Sequence, residues 1–165
     1  MRLHTSALVA APPDKVFSIV SDPERVLSFM SGITRWEVAG DRPTGLGARY
    51  RMLFRVGSAE VGGLIEVVEF ERPSEFAWTS VTGLDQRGRF RLRPAASGRT
   101  RVELRLAYGV AGSGFSGWLA ERVAAPTVDG HLRRTLQQLK RLVEYEEARE
   151  RAAARKAARA GWRRA

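Results

Sequence analysis

The sequence predicts an α+β fold: a seven-stranded antiparallel sheet covered by one long C-terminal helix, with two short helices after the first strand. Three observations carry this. Apolar residues alternate with charged ones along several stretches. Tyr50, Met52, Phe54 and Val56 oppose Arg49, Arg51, Leu53 and Arg55; Phe90 and Leu92 oppose Arg89, Arg91 and Arg93; Val102, Leu104, Leu106 and Tyr108 oppose Arg101, Glu103 and Arg105. A period of two marks half-buried antiparallel strands, wet on one face and covered on the other. From Trp118 the period becomes helical and stays so to about Ala160, with Leu132, Leu136, Leu139 and Val143 at steps of four, three and four. Finally, Pro12-Pro13-Asp14 and Ser21-Asp22-Pro23-Glu24 read as two helix starts. Nothing else in the chain is large enough to cover the apolar sheet face, so the long helix must lie across it.

The elements follow in order. Leu3–Ala10 is a short strand. The first helix runs to Val20, with Val16, Phe17 and Val20 as its apolar stripe. The second runs to about Met30, capped by Ser21 or Asp22. Ile33–Ala39 is a strand, Gly40–Gly47 a turn, and Leu46–Val56 the next strand. Ala59–Glu71 is a long strand whose Gly62-Gly63 pair suggests a bulge or bend. Glu75–Val81 and Arg87–Arg93 are strands separated by a loop at 82–86. Pro94–Gly98 forms a hairpin before the last strand, Arg99–Val110. The segment AGSGFSG at 111–117 reads as a flexible link. Pro126 either starts the helix proper near Thr127 or kinks it.

The chain has 165 residues, enough for one domain with a sizeable core. It has no cysteine, which excludes a disulfide framework, a thiolate nucleophile and a cysteine metal site. Met1–Ala11 holds no apolar run suited to a signal peptide, and no stretch approaches the roughly 20 apolar residues of a spanning helix. A cytoplasmic location is expected. Net charge is +10, unevenly placed: residues 148–165 carry six arginines and Lys156 against Glu150. Only three of the 28 basic residues are lysines. That bias reads either as codon usage or as phosphate binding, since arginine makes bidentate contacts that lysine cannot.

Several short motifs occur in a characteristic order. They are Val9-Ala10-Ala11-Pro12-Pro13-Asp14-Lys15-Val16-Phe17, Ser21-Asp22-Pro23-Glu24, Gly45-Leu46-Gly47-Ala48-Arg49-Tyr50, Glu69-Phe70-Glu71-Arg72-Pro73, Ala77-Trp78 and Gly98-Arg99-Thr100-Arg101-Val102. In these the chain resembles the START-like helix-grip superfamily, specifically its bacterial polyketide cyclase/dehydrase and lipid transport (SRPBCC) branch, over residues 1–147. The resemblance implies a curved sheet that grips the long helix and leaves an elongated apolar cavity between them. It implies that the short helices plug one end and that the 112–117 link flanks an entrance as a gate. Residues 148–165 lie outside the family pattern and are expected to form a basic helical extension.

Trp36, Tyr50, Met52, Phe54, Trp78, Phe90 and Tyr108 sit on faces suited to lining such a cavity, with Trp118 at the head of the helix. On spacing alone the same aromatics serve equally as a solid core. Acid–base chemistry has few candidates. His4 has no carboxylate beside it, and His131 stands two residues after Asp129, on a different side of a helix. No spacing suggests a metal or cofactor site, and Gly112-Ser113-Gly114 and Phe115-Ser116-Gly117 are no nucleophile elbow. Tyr50, Tyr108 and an inward Thr or Ser are the available proton donors. No catalytic residue is assigned. Glu60 and Glu66 are expected to face outward against Arg49, Arg51 and Arg55.

The tail repeats Arg151, Arg155, Arg159 and Arg163 at every fourth residue. Like charges at that spacing repel by a few tenths of a kcal/mol each, so an anionic membrane, nucleic acid or acidic protein would relieve the repulsion. Three functions thus stand open: binding or transport of an apolar or aromatic small molecule, cyclase, aromatase or dehydratase chemistry on such a ligand, and anionic-surface binding through the arginines.

Overall fold

The computed structural model describes the backbone of residues 1–109 and 115–162 and the side chains of 1–109 and 126–160. Strand β1 (Arg2–Val9) is followed by α1 (Pro13–Val20) and the short α2 (Val26–Phe29). Then come β2 (Ile33–Val38), β3 (Arg49–Val56), β4 (Ala59–Glu71), β5 (Glu75–Ser80), β6 (Asp85–Ala95), β7 (Arg99–Gly109) and α3 (Phe115–Trp162). The strands form one seven-stranded sheet in the order β1-β7-β6-β5-β4-β3-β2, every neighbouring pair antiparallel. The predicted architecture holds.

Alternation sorts the two faces. Along β6, Gln86, Gly88, Phe90 and Leu92 are buried while Arg87 and Arg93 are exposed. The outer face carries cross-strand ion pairs: Arg49–Glu66 at 2.7 Å, Arg55–Glu60 at 3.2 Å, Arg89–Glu69 at 2.5 Å and Arg91–Glu75 at 2.5 Å. Each stabilises the sheet by about 0.2–1 kcal/mol. Arg51 differs from expectation, since it stands opposite Leu64 on β4, and the carboxylate it faces is Glu37 of β2.

The inner face receives α3. Val128, Leu132, Leu136, Leu139 and Val143 are almost fully buried along one helical stripe. Burying a side chain of this size contributes about 1.5–3 kcal/mol, so the stripe fixes the helix on the sheet. Polar ties set its register. Lys140 Nζ donates to the Leu8 carbonyl at 2.7 Å, and Glu144 Oε1 accepts the Ala10 N–H at 2.8 Å. Arg25 of the α2 turn pairs with Glu146, and Lys15 of α1 with Glu146 and Glu150.

Four details differ from the sequence reading. The second helix is a single turn because Ser21 and Asp22 do not cap it. Ser21 Oγ donates back to the Phe17 carbonyl at 2.7 Å, and Asp22 Oδ1 accepts the Glu24 N–H at 3.0 Å. Gly62 and Gly63 sit in unbroken register with Leu53 and Met52, and the β4 irregularity lies between Val67 and Glu69. These glycines exist for close approach: a Cβ on Gly63 would meet the Thr82 carbonyl oxygen at 2.0 Å. β6 starts at Asp85, earlier than expected. Finally, α3 begins at Phe115 and runs through Pro126 as one helix, so 115–117 is helical. The rest of the proposed gate, 112–114, lies outside the described residues.

Candidate functional site

Sheet and helix do not meet everywhere. A cavity of about 250 Å³ lies between the first half of α3 and one end of the sheet. Its walls come from Met52, Phe54 and Val56 of β3, Trp78 of β5, Leu104, Leu106 and Tyr108 of β7, and Val128, Leu132 and Thr135 of α3. Met30 and Ile33 close it from the α2–β2 turn. Val56, Val61 and Leu84 at its rim are half-buried and Ala59 is exposed, which marks the open side. Among the described lining residues none is charged.

The predicted site residues divide sharply. Met52, Phe54, Trp78 and Tyr108 line the cavity. Trp36, Tyr50 and Phe90 do not, because each is consumed in packing. Trp36 stacks on Tyr50 with ring centres 5.0 Å apart and meets Trp78 edge-on at 6.3 Å. The Tyr50 hydroxyl donates to the Pro43 carbonyl at 2.9 Å, and burial pushes its pKa up. Tyr50 is therefore a satisfied structural group, and of the two tyrosines weighed as proton donors only Tyr108 faces the cavity. Phe90 is wedged between Phe29 and Trp78. The side chain of Trp118 lies outside the described residues.

Two lining residues carry polar groups that the sequence reading did not single out. Gln86 is 5% exposed, and its amide nitrogen contacts the Met52 sulfur at 3.7 Å. Thr135 is buried, and its hydroxyl oxygen accepts the Ser31 N–H at 2.9 Å. The signal for Gln86 was present: extending β6 inward by two residues puts it in phase with Phe90 and Leu92. Thr135 lies one turn below Leu139 and one residue before Leu136, on the buried stripe.

Beside the cavity stands a cluster that ties the α2–β2 turn to α3. Ser31 Oγ lies 2.9 Å from His131 Nδ1, and Arg134 reaches both, at 3.2 Å and 3.1 Å. Arginine only donates, so His131 Nδ1 is an acceptor and the ring proton sits on Nε2. Burial lowers the His131 pKa, and the neighbouring Arg134 charge lowers it further. The histidine is thus neutral and structural. Its ring packs edge-on against Phe54 at 5.2 Å, and Gly32 keeps the turn close because a Cβ there would strike both rings.

With the fold and cavity described, the comparisons with known proteins take their place. The family model described as polyketide cyclase / dehydrase and lipid transport matches residues 1–144. The chain belongs to this family. Solved structures agree on the fold. A protein from Thermus thermophilus is 20% identical with a TM-score of 0.74, over 87% of this chain and 97% of that one. The Zhui aromatase/cyclase of a Streptomyces species is 16% identical with a TM-score of 0.73, over 87% and 93%. A START superfamily protein from Mycobacterium smegmatis is 17% identical with a TM-score of 0.66, over 86% and 98%. No curated protein sequence matches the chain. At these identities the structural neighbours speak for the helix-grip fold, and the family for a polyketide cyclase/dehydrase-like ligand-binding architecture.

Among the described residues no helix is long and apolar enough to cross a membrane. Past the matched region α3 continues without a break, and residues 148–160 are exposed throughout.

Proposed function

We propose that this family member binds an apolar or aromatic small molecule, lipid or polyketide-like, in the cavity under α3. The observation that carries this is the wall around about 250 Å³ of space, uncharged and almost wholly apolar among the described residues. Ligand sites are concave and mostly apolar with a few polar groups, and that description fits here. The volume exceeds the ~150 Å³ of an apolar cavity that takes one benzene and falls below the ~300–1,000 Å³ of sites for drug-sized ligands. One or two rings fit best. Thermal unfolding against a panel of aromatic and short-chain lipids tests the reading. Stabilisation should be saturable and should vanish in Val128→Phe, whose added ring fills the space. Stabilisation that persists unchanged in the filled variant overturns it.

A second reading, cyclase or dehydratase chemistry, is favoured by one observation: Tyr108 lines the cavity. A phenol there suits proton donation to a bound carbonyl, and positioning a flexible substrate supplies much of the acceleration in such reactions. Turnover of a model poly-β-ketone that is lost in Tyr108→Phe, with binding retained, separates catalysis from carriage.

The cytoplasm is the compartment we assign. The overhanging helix we read as an extension, residues 148–165, separate from the 1–147 domain and suited to an anionic surface. Its Arg155, Lys156 and Arg159 are exposed and make no ion pair among the described residues. Retention on anionic vesicles or DNA should require residues 148–165.

A further inference from the structure

The cavity wall has one polar sector. In the β6–β7 register Gln86 stands directly opposite Tyr108, and it lies two residues from Gly88, the partner of Trp78. Side chains so placed on one sheet face come within about 5–8 Å of each other. Gln86, Tyr108 and Trp78 all line the cavity.

Gln86 holds unused hydrogen-bonding capacity. The Trp78 indole N–H is sealed away from the cavity, without a partner among the described residues, so it is no donor to a ligand. The Gln86 amide nitrogen has only the long contact to the Met52 sulfur, and its carbonyl oxygen has no partner among the described residues. Buried amide groups without partners are costly, whereas an apolar side chain of equal size would close the wall without that cost. Leucine or methionine would serve there if Gln86 were only packing. Among the described residues the same wall offers no counter-ion, so an ionised ligand would enter desolvated and unpaired by them.

We propose that Gln86 is the specificity-determining residue of this cavity. It selects an uncharged molecule of one or two rings with a carbonyl beside an N–H or O–H, as in a lactam or a hydroxy-ketone. The ligand carbonyl accepts from the Gln86 amide nitrogen, while its adjacent donor meets the Gln86 carbonyl. The inference rests on the cavity being a binding site, and the test separates the two.

The probes are isoquinolin-1(2H)-one, a bicyclic lactam, and naphthalene, which has the same shape without polar atoms. Each is titrated against the full chain and against Gln86→Leu and Gln86→Met, with thermal unfolding as the control for folding. Both variants should fold about as stably as the parent, since the amide's one bond, to the Met52 sulfur, is long. Affinity for the lactam should fall about tenfold in both variants, as expected for two lost hydrogen bonds in a buried site. Naphthalene should bind the variants as well as the parent, or tighter. Equal changes for the two probes, or none, overturn the role of Gln86 and leave the binding site standing. Failure of both probes to bind the parent chain overturns the binding site and this inference together.

Discussion

The two ends of the sheet–helix interface are built from the same strands and finish differently. At the end plugged by α1 and α2, rings fill the space: Phe17 meets Phe70 at 5.1 Å, Phe29 meets Phe90 at 6.2 Å and Trp36 stacks on Tyr50. At the other end Met52, Phe54, Leu106 and Tyr108 face Val128 and Leu132 across a void. The divide runs through single strands. Tyr50 of β3 is sealed and Met52, its next inward neighbour, lines the void; Phe90 of β6 is sealed and Gln86 lines it. Period-two burial is thus common to both ends. What differs is the cover: short helices bring Phe17 and Phe29 into the sealed end, while among the described residues α3 and the α2–β2 turn lie over the hollow one. Two aromatic faces of identical pattern can end as core or as site according to what is laid over them.

The largest effect should come from breaking the sealed end. Phe90→Ala removes a fully buried ring from contact with Phe29 and Trp78 and should cost about 3–5 kcal/mol in urea unfolding. Leu106→Ala at the hollow end removes a half-buried side chain that already borders empty space. It should cost at or below about 2 kcal/mol, the bottom of the range for buried leucines, while enlarging the cavity. Equal losses at the two sites would mean that the hollow end is packed as tightly as the sealed one.

A second substitution attacks the boundary. The Trp78 indole lies against Gly88 so closely that an added Cβ would meet its ring atoms at 2.0–2.5 Å. Glycine here is therefore a seat for the indole, not a source of backbone freedom. Gly88→Ala must push Trp78 off β6, and the cavity is the available space. The expected cost is about 1–3 kcal/mol, typical of overpacking, accompanied by loss of apolar ligand binding. Ligand binding that survives in a folded Gly88→Ala protein would show that the indole had moved elsewhere.

Much of this was legible in the residues. The alternation in β3, β6 and β7 carried the strand count, and Leu132 to Val143 carried the helix that covers them. The reading placed Met52, Phe54, Trp78 and Tyr108 on the correct face. It could not separate them from Trp36, Tyr50 and Phe90, because alternation reports a face and not the depth of what lies above it. Gln86 escaped notice because Gly83 and Asp85 read as loop, although Asp85 already pairs with Gly109. The His131 cluster escaped because its partner Ser31 lies 100 residues away in sequence, a proximity that only tertiary folding creates.

The smallest expected effect sharpens the comparison through pH. His131 pins the α2–β2 turn, and with it Met30 and Ile33, over the hollow end; nothing comparable titrates among the rings of the sealed end. Its pKa in the folded protein lies below the ordinary 6.5 because of burial and Arg134. Between those two values the unfolded chain holds the proton and the folded one does not, so acid favours unfolding. The stabilisation is complete above pH 6.5 and is lost as pH falls through the lower, folded value. Glu146, held down chiefly by its hydrogen bond from Arg25, and Glu144 titrate below 4.5 and stay out of this window. Unfolding free energies at pH 8 and pH 5 should therefore differ more for the parent than for His131→Asn. Protonated His131 is repelled by Arg134 and can no longer accept from Ser31. Affinity for an apolar probe should accordingly weaken at pH 5 in the parent and hold steady in His131→Asn. Parallel pH profiles for the two proteins would mean that the turn is held by its backbone contacts and Thr135 alone.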